Sequence, residues 1–186
     1  MLGGRYDMMR ALGPGSVSSF LKIILDVVFA ALWIGVVVLS VLTLAALLLS
    51  YNPDIMPGLR DTNPGALSEL IRNGPSMAGG LLGAALYLAG VLVIVAALRR
   101  IFTTLTAGDP FHPDNVARLR LIGLMLAGLE LGRYAFWAVS AWLFSGVNKV
   151  EPDMSLTAWF SVLVVFVLAE VFREGARLRR EAELTI

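Results

Sequence analysis

The chain is predicted to be an all-α integral membrane four-helix bundle, and three observations predict it. Composition is the first: 58% of the 186 residues are hydrophobic and 16% are charged, against roughly 45–50% and 25% in an ordinary soluble domain. The second is a set of apolar runs as long as a bilayer is thick. The third is the placement of lysine and arginine, which alternates between connecting segments.

The first run, Val27 to Leu49, has no charge in 23 residues, enough for the roughly 20 that a helix needs to span ~30 Å of hydrocarbon. Its basic flank, Arg5, Arg10 and Lys22, resembles the start of a signal peptide. The apolar part far exceeds the ~7–15 residues of a signal core, so it is read as a retained span. Met77 to Leu98 gives a second run of 22 uncharged residues, rich in Gly and Ala. The third, Leu121 to Val147, is long enough but carries Glu130 and Arg133 near its middle. The fourth is weakest by length, because Met154 to Ala169 supplies 16 uncharged residues and reaches a full span only across Glu170 to Val171 and Phe172.

Charge decides the fourth span. With the N-terminus in the cytoplasm, eleven basic residues fall inside: Arg5, Arg10 and Lys22, then Arg99, Arg100, Arg118 and Arg120, then Arg173, Arg177, Arg179 and Arg180. Three fall outside (Arg60, Arg72, Lys149) and Arg133 lies within the membrane. Only four crossings satisfy the positive-inside rule at every loop. The expected layout is a single membrane domain of residues 1–186 with both termini cytoplasmic in an inner membrane. Its spans lie at about 22–50, 76–100, 117–146 and 154–173, with an outer loop at 51–75, an inner loop at 101–116 and a cytoplasmic tail helix at 170–184. Spans two, three and four are expected to continue as helices into the cytoplasm. Tyr51, Trp142 and Trp159 fall near the expected outer boundary, where amphipathic rings prefer to sit.

The connections differ in information. The outer loop is punctuated by Asn52-Pro53, Pro57-Gly58, Asn63-Pro64 and Asn73-Gly74-Pro75, all turn formers. Within it Leu67, Leu70 and Ile71 are spaced for a short surface helix over Ala66 to Arg72. A tight outer turn is expected at Asn148 to Asp153. In the inner loop the helix of span two is expected to run through Leu105 and stop at Gly108, with Asp109-Pro110 forbidding continuation. Pro113 suits a first helical turn and Asp114 its positive end, so a helix restarts there and runs through Arg118 into span three. Between stop and start stands a knuckle carrying Phe111 beside four arginines, which has the character of a docking site for an acidic or amphipathic partner. In the tail, Val171, Gly175, Leu178 and Ala182 repeat as an apolar stripe among charged residues. Such a stripe rests on the chain's own helices, on headgroups or on a cytoplasmic protein.

Glu130 and Arg133 are three apart on one helix face and can pair. A charge at the bilayer centre costs ~2.5–3.5 kcal/mol even on the lenient insertion scale, so both must face protein or water. Gly128/Gly132 on span three and Gly79/Gly83 on span two form small-residue steps that would let helices clasp the pair and permit a homodimer without requiring one. The pair reads equally as a structural clamp and as an ion or solute site. Transport would need polar groups on several spans facing a common path, and only Asp26 and Glu170, both near inner ends, are on offer.

Other chemistry is poorly supplied. No cysteine is present and His112 is the single histidine, which excludes disulfides, thiol catalysis and thiolate metal centres, and leaves bis-histidine haem or a histidine-built zinc site without ligands. No phosphate-cradling glycine loop or catalytic spacing is found, so no enzyme, cofactor or metal is expected. A net charge of +1 gives no basis for direct nucleic-acid binding.

With the inner loop and tail located, a resemblance can be stated. Leu98-Arg99-Arg100-Ile101-Phe102, Gly108-Asp109-Pro110-Phe111, Asn115-Val116 and Arg118-Leu119-Arg120-Leu121-Ile122-Gly123, together with the tail Ala169-Glu170-Val171-Phe172-Arg173-Glu174-Gly175-Ala176-Arg177-Leu178 and the ending Glu183-Leu184-Thr185-Ile186, resemble a bacterial four-span membrane family, domain-of-unknown-function family 2975. The resemblance covers the chain from span two onward. It implies a small four-span protein whose gene often neighbours one for a small helix-turn-helix regulator of the Cro type, and hence a membrane protein that holds or controls that regulator. Arg179 and Arg180 stand where a more acidic stretch is expected, so no charge complementarity is carried over.

Three functions are therefore expected in descending order. The first is a membrane-anchored regulatory or scaffold protein, in contact with lipid, that binds a cytoplasmic protein, such as a small DNA-binding regulator. The binding residues would be Gly108, Asp109, Pro110, Phe111, Asn115 and Arg118 of the inner loop and Phe172, Gly175 and Leu178 of the tail. A structural or accessory subunit comes second. A small transporter or channel using Glu130 and Arg133 comes third.

Overall fold

The computed structural model describes residues 17–52, 64–143 and 154–184. They form four helices: α1 (Val17–Tyr51), α2 (Pro64–Thr106), α3 (Pro113–Leu143) and α4 (Leu156–Glu183). All four are long and apolar enough to cross a membrane. The tight turn expected at Asn148 to Asp153, the outer part of span three beyond Leu143, residues 53–63 of the outer loop, and Arg5, Arg10, Arg60 and Lys149 lie outside the described residues.

The outer loop needs correcting. Residues 64–75, expected as loop, belong to α2, which runs unbroken through Pro75. Pro64, expected within a turn, is instead the first helical residue, where a missing N–H costs nothing. Asn73-Gly74-Pro75 does not turn the chain. Gly74 is buried against the end of α1, where a Cβ placed on it would lie 2.7 Å from Ser50. The Ser76 hydroxyl donates to the Asn73 carbonyl at 2.7 Å. Close packing and hydroxyl bonding of this kind let spanning helices carry a proline. The expected short surface helix at Ala66 to Arg72 is thus the first part of α2, and the side chains of Leu67, Leu70 and Ile71 lie outside the described residues.

At the other end, span four and the tail are one helix. Ser155 caps it, its side chain accepting from the Ala158 N–H at 3.2 Å. The helix then passes Glu170 without a break, because Arg173 lies one turn on and pairs with it.

Packing is sequential: α1 lies along α2, α2 against α3, and α3 against α4. The buried cluster is made by Ala97 and Ile101 of α2, Leu119 and Ile122 of α3 and Ala169 of α4, with Leu126, Val165 and Phe172 packed around it. It lies toward the end of the bundle that carries the 107–112 turn. α1 gives no residue to it. Instead α1 lies mainly along α2, fastened at three levels through Ser50 on Gly74, Leu88 on Gly35, and a hydrogen-bonded ion pair between Asp26 and Arg99 at 2.6 Å.

Large side chains enter glycine notches across each interface. Leu129 and Phe136 of α3, seven apart and so on one face, sit against Gly90 and Gly83 of α2, where an added Cβ would come within 2.5 and 2.7 Å of them. Phe166 of α4 lies against Gly123 in the same way at 3.1 Å. The small-residue steps are therefore only partly used as expected. Gly83 receives α3, but Gly79, Gly128 and Gly132 face open space and clasp nothing.

Most large apolar side chains outside these contacts are exposed, from Phe20, Ile34 and Val41 on α1 to Leu163 and Val167 on α4. Exposure on this scale, around helices long enough to span, is what lipid covers.

Candidate functional site

The turn end is built from the chain's own stop and start signals. α2 closes in a Schellman motif, with the Asp109 N–H donating to the Thr104 carbonyl at 3.0 Å and the Gly108 N–H to the Leu105 carbonyl at 3.1 Å. Gly108 takes φ 81°, a conformation in which a Cβ is strained whatever space surrounds it. Five residues after Gly108 α3 restarts at Pro113, and His112 caps it, its ring Nδ1 accepting from the Asp114 N–H at 3.3 Å.

Asn115 locks the two helices together. It has no exposed surface, the largest side chain so enclosed among the described residues. Its Nδ2 donates to the Thr104 hydroxyl at 2.7 Å and to the Pro110 carbonyl at 3.1 Å, and its Oδ1 accepts from Arg118 Nη1 at 2.9 Å. Arg118 also donates to the Arg100 carbonyl at 3.3 Å and meets Asp114 at 3.5 Å. Asn115 and Arg118, read from sequence as partner contacts, are thus spent on holding the turn, and Asn115 presents nothing to a partner.

The knuckle is seated on the tail. The Phe111 ring lies 5.7 Å from that of Phe172, tilted by 52°, and fits against Gly175, where an added Cβ would stand 2.5 Å from Phe111 Cε1. Asp109 forms an ion pair with Arg179 beside it. Four of the expected contact residues, Asp109, Phe111, Phe172 and Gly175, are therefore one assembled unit that joins the inner loop to α4. Leu178 is apart from it. The stripe read from sequence mixes two faces, since Gly175 meets Phe111 whereas Val171 and Leu178 are 57% and 55% exposed. The face that α4 buries runs instead through Ala169, Phe172 and Ala176. What remains open at the turn end is the outer edge of Phe111 (37% exposed), Leu178 and Val171, among Arg173, Arg177 and Arg180.

Glu130 and Arg133 do meet. Arg133 Nη2 donates to Glu130 Oε1 at 2.6 Å, and the Tyr134 hydroxyl donates to the same oxygen at 2.6 Å. Arg133 also lies over the Tyr134 ring, 5.0 Å from its centroid. Glu130 is 8% exposed and continues the inward stripe of α3 that begins at Asn115, Leu119 and Ile122. Both of its bonds come from its own helix. Tyr134 was missed from sequence, although its spacing of four from Glu130 is the ordinary signal for such a contact.

Two further contacts carried no local signal. Asp109 pairs with Arg179 and Asp26 with Arg99 across 70 and 73 residues, and only the fold brings them together. Among the described residues no group of three His, Cys, Asp or Glu side chains could hold a metal.

No curated protein and no solved structure matches the chain. A family model does, and the region it matches, residues 51–186, contains the whole turn, the three-helix core and the tail seated on the turn. By that match the chain belongs to the family described as "Protein of unknown function (DUF2975)".

Proposed function

We propose that this is a non-enzymatic, membrane-anchored regulatory protein whose turn end faces the cytoplasm and docks a soluble protein there. One observation carries the reading: the 107–112 turn and the tail of α4 form a single surface, with Phe111 set against Gly175 and Asp109 paired to Arg179. That surface leaves Leu178, Val171 and part of Phe111 exposed among arginines, which suits an amphipathic, acidic face on a partner. The excess of basic residues at the same end supports a cytoplasmic placement, with both termini on that side.

The partner proposed is a small helix-turn-helix regulator, kept from DNA while it is held at the membrane, as the family resemblance suggests. Co-purification from gently solubilised membranes tests this. The wild type is expected to bring the regulator with it. Leu178→Glu, which alters an exposed side chain and no core contact, is expected to weaken capture by at least about tenfold, in line with losing an interface anchor. Undiminished capture by Leu178→Glu, or none by the wild type, overturns the docking surface.

A further inference from the structure

We propose that a crevice between α1 and α2 binds the phosphodiester headgroup of an anionic phospholipid. The crevice, of about 300 Å³, is lined by Lys22, Asp26 and Phe29 of α1 and by Ala96, Arg99, Arg100 and Thr103 of α2. It opens where charge resumes after the uncharged runs of both helices, at the depth where a headgroup lies beside a spanning helix.

Its charges are arranged for an anion. Arg99 is fixed by two neighbours, donating Nε to Asp26 Oδ1 at 2.6 Å and lying over the Phe29 ring, 4.3 Å from its centroid. Asp26 takes only that Nε, and the two terminal nitrogens of Arg99 make no hydrogen bond among the described residues. A guanidinium held in place with its fork free is the group that recognises phosphate oxygens bidentately. Lys22 and the Arg100 side chain flank it, and neither has a hydrogen bond or ion pair among the described residues. With one carboxylate against three cations, the crevice carries a net charge of +2, enough for one phosphodiester with charge to spare. Basic pockets between spanning helices take lipid headgroups in this manner. Ile23 and Val27, which follow Lys22 and Asp26 in sequence, and Val93, one helical turn before Ala96, are exposed, so acyl chains have apolar surface on both helices toward the bilayer centre.

This site does not rest on the docking surface. None of its lining residues belongs to the 107–112 turn or to α4, and α1 lies almost entirely outside the family match. The same phosphate chemistry could come from a soluble phosphate monoester, and the experiment separates the two.

The full chain is purified in mild detergent and lipid retention is read by native mass spectrometry, with phosphatidylglycerol and phosphatidylcholine offered in equal amounts. Selective retention of about one phosphatidylglycerol per chain is expected. Lys22→Gln with Arg100→Gln, which removes two exposed cations that have no hydrogen bond or ion pair among the described residues, is expected to cut that retention at least about tenfold. Lys22→Arg with Arg100→Lys keeps it. A control loss of charge at the same end, Arg120→Gln, leaves it within about twofold. Equal loss in this control overturns the crevice in favour of diffuse surface charge. Displacement of phosphatidylglycerol by millimolar glycerol 3-phosphate would assign the site to soluble phosphates and overturn the lipid reading.

Discussion

Asn115 shows how a residue's role follows from its surroundings rather than its type. Three hydrogen bonds and complete burial make it the joint between the end of α2, the turn and the start of α3. Removing it leaves the Pro110 carbonyl and the Thr104 hydroxyl short of a buried partner, at a cost of ~1–3 kcal/mol. Asn115→Ala is therefore expected to lower the unfolding midpoint in mild detergent, while Arg120→Ala, which touches no such network, leaves it unchanged. A variant with unchanged stability that no longer captures the partner would return Asn115 to the contact role its sequence position suggested.

At this scale the sequence was legible wherever cause and effect lie within a turn of helix. Gly108 announced a left-handed stop, Pro113 a start, and Glu130 with Arg133 a pair. Asp26 with Arg99 and Asp109 with Arg179 were not legible, because a carboxylate's local neighbours say nothing about which distant cation the fold will bring to it.

Among the elements, α2 departs most from its sequence signals. Asn73-Gly74-Pro75 has the chemistry of a turn, yet helix continues through it, since α1 packs directly on Gly74 and the apolar run that follows commits the segment to a span. Tertiary packing outweighs a local preference of a few kcal/mol. The proline is thus tolerated, not required. Pro75→Ala restores an N–H to the Ile71 carbonyl and is expected to raise the unfolding midpoint, by up to ~3 kcal/mol of stability. A turn at this position would respond oppositely or not at all. The amphipathic stripe of α4 was read one residue out of phase for a related reason. Apolar spacing alone cannot separate a face buried on α3 from a neighbouring face left open, and Gly175, the one position shared with the turn, has no side chain to signal its importance.

For the whole molecule, three long apolar helices were plain from composition and run length, and the fourth, too short by length alone, was legible from the placement of arginine. The grouping was not. α2, α3 and α4 share one core, while α1 gives no residue to it and lies mainly along α2, a division that hydrophobic length does not encode. Orientation rests on arginine placement and is open to a direct test, helped by the absence of cysteine from the native chain. Single cysteines at Ala107 and Ser155 are expected to react with a membrane-impermeant maleimide from opposite sides, Ala107→Cys only after the cytoplasmic side is opened and Ser155→Cys in intact cells. The reverse pattern would invert the proposed topology and, with it, the compartment of any docked partner.

The seating of Phe111 against Gly175 also has a meaning in time. Synthesis delivers the knuckle while the helix that holds its notch is still to be made, so until α4 has been threaded through the bilayer the phenylalanine has no seat. Closure of that contact marks the completion of insertion, and the docking surface proposed here comes into being only on a finished molecule.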